Sequence, residues 1–265
     1  EEAGIPIDYI AGTSMGSLVG ALYAIGYDAH TMDSLVRRQD WTFLLSDKVY
    51  RYNLPFSEKE ETEKYLVSVP IKNNREIKIP SGFISGQNIY NLFSDLTIGY
   101  HDSLDFKKLP IPFACVASNL VDGQEVIQDC GVLPLAMRAS MAIPGAFAPV
   151  RKDGMVLIDG GILNPLPLKH VHRTEGDILI AVDVNAPIDC GKKKKMSPYN
   201  LLTESSRMMM QQITRYQIDR CQPDILIEMS GNAYDMLAFN HAASIVKTGV
   251  EVTKSALDRI GRKES

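Results

Sequence analysis

A 19-residue stretch without a charged side chain, Tyr9 to Tyr27, most constrains what this chain can fold into. In length it matches a transmembrane helix, and the four-residue spacing of three glycines matches a helix-packing face: Gly12, Gly16 and Gly20. The stretch also carries serine and threonine side chains, is flanked by Asp8 and Asp28, and has no basic residue nearby to set a topology. The sequence therefore favours a segment buried inside a folded domain.

The same stretch contains the pattern G-x-S-x-G at a predicted turn from a strand into a helix. The strand is expected over Ile5 to Ala11, and apolar residues recur at helical spacing from Met15 to Gly26. A serine nucleophile needs a sharp turn that projects its oxygen from the sheet, and flanking glycines allow close backbone approach. We therefore identify Ser14 as a candidate nucleophile, with the N–H of Met15 as a candidate oxyanion donor.

A serine nucleophile also needs a base, and Asp159 is the candidate. It ends an apolar run and is followed by Gly160 and Gly161. Alone, Asp-Gly-Gly is typical of a turn, as predicted for the other Asp-Gly pairs of the chain. A rival arrangement is a Ser–Asp–His triad in the chain order of the α/β-hydrolases, with one of three histidines as the third member: His170, His172 or His241.

Three motifs occur together and in a fixed order along the chain. They are Gly12-Thr13-Ser14-Met15-Gly16, the Ala-Ser-x-Ala-x-Pro-x-x-Phe-x-Pro stretch from Ala139 to Pro149, and Asp159-Gly160-Gly161. In this combination the chain resembles the patatin-like phospholipases, in particular the bacterial members. Two further segments are similar to the same family: Asn164-Pro165 and Ala181-Val182-Asp183-Val184. The resemblance extends from residue 1 to about residue 190.

The resemblance implies that Ser14 and Asp159 form a dyad that hydrolyses acyl esters of phospholipids or other lipids at a membrane surface. The reaction would pass through an acyl-enzyme and use no metal or other cofactor. An aspartate at its ordinary pKa of about 3.9 is a weak base, so burial in an apolar cleft is expected to raise that pKa. Two other functions stay open: a general serine esterase without membrane preference, and a catalytically silent lipid-binding module.

The family also has a glycine-rich loop that supplies further oxyanion donors before the nucleophile. Only 13 residues precede Ser14 here, and the first four, Glu1 to Gly4, are typical of a helix end closed by glycine. We therefore expect an upstream segment outside this sequence. A homodimer and an outer-membrane barrel domain outside this chain stay open as further partners.

The order of predicted elements indicates the fold class. Short apolar runs alternate with helical stretches, so we expect a three-layer α/β/α sandwich with a mostly parallel central sheet. We expect one domain over residues 1–265, N-terminally incomplete, with a cap-like insertion at about 46–110. The formal net charge of −4 argues against a nucleic-acid partner, and the dispersed cysteines argue against a metal site. A soluble domain is expected, either cytoplasmic or secreted to the bacterial surface.

Other predicted elements follow from periodicity and turn signals. They are a helix capped by Asp28 that reaches Arg38, a helix over Gln87 to Leu96, a strand over Ile111 to Ser118, a hairpin turning at Asp153-Gly154, buried parallel strands over Ile178 to Val184 and Ile225 to Met229, and helices over Asn200 to Cys221 and His241 to Ile260. A lysine run is predicted as a loop, either solvated or in contact with anionic lipid: Lys192, Lys193, Lys194 and Lys195.

Overall fold

The structure is a computed structural model that describes residues 1–48, 82–185, 198–229 and 241–261. The lysine run from Lys192 to Lys195 and residues 49–81 of the expected cap-like insertion lie outside these ranges. Within them, no helix combines the length and the hydropathy that a transmembrane span needs.

Helices and strands alternate along the described chain. The helices are α1 (Met15–Ala24), α2 (Ala29–Arg38), α3 (Trp41–Leu44), α4 (Gln87–Leu96), α5 (Leu133–Ser140), α6 (Pro198–Cys221) and α7 (Ala242–Gly261). The strands are β1 (Ile10–Thr13), β2 (Gly82–Ile84), β3 (Leu104–Asp105), β4 (Phe113–Asn119), β5 (Glu125–Gln128), β6 (Cys130–Gly131), β7 (Gly145–Phe147), β8 (Val150–Lys152), β9 (Met155–Asp159), β10 (Ile180–Asp183) and β11 (Ile225–Glu228).

Strand β4, all of whose residues are buried, is the centre of the sheet that positions the site. β1 pairs with its first half in parallel orientation and ends with Thr13 opposite Val116. β9 pairs with its second half in antiparallel orientation and ends with Asp159 opposite Ala117. The pairing of β5 with residues 115–118 overlaps both of these, so β5 must occupy the opposite edge of β4. It follows that β1 and β9 run toward each other along one edge of β4 and that their carboxyl ends meet.

The α/β class is confirmed, and the described sheets combine both strand orientations. Parallel pairs join β1 with β4, β2 with β7 and β10 with β11. Antiparallel pairs join β4 with β5 and with β9, β8 with β9, and β3 with β6. The predicted hairpin joins β8 and β9 through Asp153 and Gly154, whose φ angles of 51° and 78° suit a tight two-residue turn.

One strand prediction is wrong in its burial. β10 and β11 do form a parallel pair, but in the described ranges no third strand joins them. Ala181 is buried in a small cluster with Leu166, Leu168 and Leu179, whereas Val182 is 50% exposed. A strand buried on both faces reads as a continuous apolar run. Among the residues that the structure describes, only one face of β10 is covered, although both faces carry apolar side chains.

The main core lies between the sheet and helices α1, α4 and α5. Helix α2 begins as predicted, because the Asp28 carboxylate accepts a 2.6 Å hydrogen bond from the Thr31 N–H. Helix α4 has the predicted bounds and buries Ile89 and Phe93 in the main core. Residues 82–110 therefore contribute to that core, while the single-domain boundary and the cap-like insertion stay predictions.

Gly12 and Gly16 of the G-x-S-x-G pattern differ in their surroundings. A Cβ atom on Gly12 would lie 2.4 Å from the Gly16 carbonyl oxygen, because the first turn of α1 crosses directly over β1. A Cβ atom on Gly16 would meet nothing within 4 Å. The close approach expected for both glycines therefore holds at Gly12 and not at Gly16.

This difference predicts unequal costs for two matched substitutions. Gly12→Ala should lower the free energy of unfolding by roughly 1–3 kcal/mol, because the helix must shift away from the strand. Gly16→Ala should change it by less than about 0.5 kcal/mol. Urea denaturation of the two variants measures both values, and equal destabilisation would contradict the packing described for Gly12.

Candidate active site

Ser14 and Asp159, which are 145 residues apart in sequence, meet where β1 and β9 converge. Ser14 directly follows β1, and Asp159 is the last residue of β9. The Ser14 hydroxyl donates a hydrogen bond of 2.5 Å from its Oγ to Asp159 Oδ2. The structure thus brings together the two residues that the sequence singles out as nucleophile and base.

Ser14 lies at a strained turn. Its φ of 53° and ψ of −120° are rare for a residue with a side chain, and such a conformation costs about 1–3 kcal/mol. Ser17 stabilises the turn from one side, because its N–H and its hydroxyl both donate to the Ser14 carbonyl, at 2.9 and 2.6 Å. The turn directs Ser14 Oγ toward Asp159 instead of along the helix.

Ser140, at the end of α5, holds the other side of this turn. It is fully buried, and its hydroxyl donates to the Val116 carbonyl at 2.6 Å. Its oxygen therefore has a lone pair free to accept the Ser14 N–H, at 2.9 Å. Since the Ser14 N–H is engaged, the N–H groups of Met15 and Gly16 are the candidate oxyanion donors that the described part of this turn offers. These lie in the first turn of α1 and have no acceptor within the helix.

Sequence reasoning missed Ser140 as a functional residue. The residue stands inside the motif from Ala139 to Pro149, so a signal for it was present. The motif alone does not say that the end of α5 faces the Ser14 turn, which is a consequence of tertiary packing.

Asp159 is 5% exposed, and burial raises its pKa to about 6. The hydrogen bonds from Ser14 and from the Gly161 N–H to the carboxylate act in the opposite direction but are outweighed. The Asp159 N–H donates to the Ala142 carbonyl at 2.9 Å, which fixes the end of β9 against the segment after α5. The carboxylate is thus a stronger base than an exposed aspartate, as burial in an apolar cleft predicts.

Close contacts surround both glycines after Asp159, and the closest ones at Gly160 are with backbone atoms that cannot easily move. A Cβ atom on Gly160 would lie 2.2 Å from the Val116 carbonyl oxygen. One on Gly161 would lie 2.9 Å both from Asp159 Oδ1 and from the terminal methyl of Met210 on α6. The turn that follows the candidate base is therefore packed between β4 and α6.

The histidines of the rival triad have other surroundings. His170 Nε2 lies 3.4 Å from a Glu125 carboxylate oxygen, and the His172 ring packs edge-on against Tyr9 with centroids 5.3 Å apart. His241 is exposed directly before α7, whereas Asp159 is buried. These contacts do not support a triad. Across the described ranges there is also no group of three histidine, cysteine or acidic side chains that could hold a metal ion.

Fold and site together define an α/β protein in which a serine at a strained strand-to-helix turn faces a buried carboxylate. Residues 1–172 match the model of the family described as patatin-like phospholipase. The chain belongs to the patatin-like phospholipase family.

Several known proteins are similar to this chain. Uncharacterized NTE family proteins of Mycobacterium bovis and Mycobacterium tuberculosis are 33% identical over 187 residues, which is 69% of this chain and 42% of theirs. Lysophospholipase NTE1 of Phaeosphaeria nodorum is 28% identical over 186 residues, 70% of this chain and 10% of that protein. This chain therefore spans less than half the length of these relatives. The crystal structure of VipD from Legionella pneumophila aligns with a TM-score of 0.46 at 15% identity, covering 95% of this chain and 61% of that one.

The contacts of Ser140 predict the effect of removing its hydroxyl. Ser140→Ala leaves the Ser14 N–H and the Val116 carbonyl unpaired and lets the turn relax. We expect the rate constant for labelling of Ser14 by a fluorophosphonate to fall roughly ten- to hundredfold, because small displacements of reacting groups are that costly.

Ser118→Ala is the matched control. Ser118 is buried on the same strand as Val116, and its hydroxyl has no hydrogen-bond partner in the described part of the chain. This variant should label at the wild-type rate. A folded Ser140→Ala protein that also labels at the wild-type rate would contradict the role given to Ser140.

Proposed function

We propose that this chain hydrolyses acyl esters of phospholipids or related lipids, with Ser14 as the nucleophile and Asp159 as the general base. The observation that carries the proposal is the 2.5 Å hydrogen bond from Ser14 Oγ to Asp159 Oδ2 at the strained turn. Membership of the patatin-like phospholipase family supports a lipid ester as the substrate.

The reaction follows from this geometry. Asp159 accepts the hydroxyl proton as Ser14 Oγ attacks the ester carbonyl carbon, and the N–H groups of Met15 and Gly16 donate to the resulting oxyanion. The C–O bond to the leaving alcohol then breaks, that alcohol takes the proton from Asp159, and an acyl ester remains on Ser14. Water then attacks the carbonyl carbon of this acyl-enzyme while Asp159 accepts its proton. The bond from that carbon to Ser14 Oγ breaks, Ser14 Oγ takes the proton back from Asp159, and the fatty acid is released.

Apolar side chains around the dyad favour an acyl chain as the substrate group. Met15 directly follows the nucleophile, and Ile143 follows Ala142, whose carbonyl binds the Asp159 N–H. Both side chains are only partly buried and pack against the main core, as do Ile84 and Ala146. The exposed apolar surface of Met15 and Ile143, which adjoin Ser14 and the Asp159 contact in sequence, would be covered by a bound hydrocarbon chain.

Hydrolysis of two substrates by three proteins tests the proposal. Wild type should release fatty acid from phosphatidylcholine vesicles, because the apolar surface beside Ser14 favours a long acyl chain. Ser14→Ala should lower the rate roughly a thousandfold or more and Asp159→Asn roughly a hundredfold or more, as expected for a nucleophile and its base. Liberated fatty acid is measured by mass spectrometry.

A soluble ester, p-nitrophenyl butyrate, distinguishes the alternatives. Hydrolysis of this ester without any release from vesicles would contradict a lipid substrate and indicate a general serine esterase. Vesicle binding without hydrolysis of either substrate would contradict the enzymatic proposal and indicate a lipid-binding module.

The raised pKa of Asp159 predicts how activity depends on pH. Only the ionised carboxylate accepts a proton, so kcat/KM should decrease as pH falls below about 6, tenfold per pH unit. The folded state holds the Asp159 proton more tightly than the unfolded chain, whose aspartate pKa is about 3.9. Protonation of Asp159 therefore increases the free energy of unfolding as pH falls from about 6 to about 4.

Loss of activity in this pH range should thus occur without unfolding caused by Asp159. The measurement is a pH profile of kcat/KM with thermal unfolding followed in the same buffers. This decrease of kcat/KM at low pH is the acid limb of the profile. The residual activity of Asp159→Asn should show no acid limb near pH 6. An unchanged limb in this variant would assign the titration to another group.

A further inference from the structure

Asn164 is a buried residue that forms hydrogen bonds with the residue before Ser14 and with the residue after Asp159. Asn164 is fully buried, and its carbonyl accepts a hydrogen bond of 2.9 Å from the Thr13 hydroxyl. Its N–H donates to the Gly160 carbonyl at 2.8 Å. Thr13 directly precedes Ser14, and Gly160 directly follows Asp159. The ladder bonds of β1 and β9 run to β4, whereas this link joins the two strand ends to each other.

The side chain of Asn164 is anchored on the opposite edge of β4. Its Nδ2 donates to Glu125 Oε2 at 3.0 Å, and Glu125 lies on β5. Burial raises the pKa of Glu125, but hydrogen bonds from Lys169 and Asn164 and the nearby His170 together lower it. The carboxylate is therefore ionised at neutral pH, and its bond to the Asn164 amide is charge-assisted.

We propose that Asn164, anchored by Glu125, is a positioning residue that sets the distance between Ser14 Oγ and Asp159 Oδ2. The inference rests on the proposed function, because it assigns Asn164 a role only through the dyad. One hydrogen bond of the Asn164 backbone fixes the residue before the nucleophile, and the other fixes the turn after the base.

A change in that distance has a measurable electrostatic consequence. The hydrogen bond from Ser14 lowers the pKa of Asp159 and thereby offsets part of the effect of burial. If the strand ends move apart, this bond lengthens and the pKa of Asp159 rises above about 6. The acid limb of Ser14 reactivity should then move to higher pH, an effect that lower stability alone would not produce.

The test follows the rate of Ser14 labelling by a fluorophosphonate as a function of pH. Asn164→Asp places a second carboxylate against Glu125, so we expect labelling to slow roughly ten- to hundredfold. The acid limb should also shift upward by a measurable fraction of a pH unit. Adding Glu125→Gln restores one N–H···O bond with donor and acceptor exchanged, and the double variant should recover much of the rate and the original limb.

Two further variants keep the test decisive. Thr13→Val has nearly the same shape but loses the hydroxyl that donates to the Asn164 carbonyl. It should shift the acid limb in the same direction as Asn164→Asp, and it provides the test if Asn164→Asp does not fold. Arg173→Met removes an exposed ion pair with Asp224 and leaves the partners of Asn164 and Glu125 in place, so it should keep the wild-type limb.

The outcomes separate the two proposals. Suppose that wild type is labelled at Ser14, and that Asn164→Asp and Thr13→Val are labelled at the same rate with the same acid limb, even if their thermal stability is lower. The positioning role is then overturned and the proposed function stands. If folded wild type does not label, the proposed function fails and the inference fails with it. Because labelling does not depend on a lipid, a wrong substrate class affects neither result.

Discussion

The hydrogen bond between Ser14 and Asp159 depends on an arrangement of strands in which β1 and β9 approach each other along one edge of β4. The parallel pairing of β1 ends at Val116, and the antiparallel pairing of β9 ends at the next residue, Ala117. The residues that leave these two strands must therefore meet. The chemistry proposed here requires this register, since a shift of one residue would reverse which side chains face the site.

Polar contacts stabilise this meeting point at some energetic cost. The turn at Ser14 stores about 1–3 kcal/mol of backbone strain. Two hydrogen bonds donated by Ser17 and one accepted by Ser140 each contribute about 0.5–1.5 kcal/mol toward holding it. Burial of Asp159 is also unfavourable for its charge, and that same burial raises its pKa to about 6. The features that destabilise the site are thus the ones on which the proposed roles of its serine and carboxylate depend.

Local signals in the sequence were sufficient for several elements. The Asp28 cap, the helix from Gln87 to Leu96 and the turn at Asp153-Gly154 each depend on a few consecutive residues, and the structure has them. Contacts between distant segments were not accessible in that way. The register that brings Ser14 to Asp159 and the bonds made by Ser140 and Asn164 join residues up to 151 positions apart. The prediction of a buried β10 is wrong for the same reason, because its apolar run does not reveal that Val182 is half exposed in the described structure.

Covalent labelling of the serine is the most direct measurement of whether Asp159 activates Ser14. Folded wild-type protein is treated with a fluorophosphonate, and the adduct is counted by intact mass and located by peptide mapping. An activated dyad should give one adduct on Ser14, absent from Ser14→Ala and formed far more slowly in Asp159→Asn. An adduct on another serine, or equal labelling rates in wild type and Asp159→Asn, would contradict the claim that this pair forms an activated dyad.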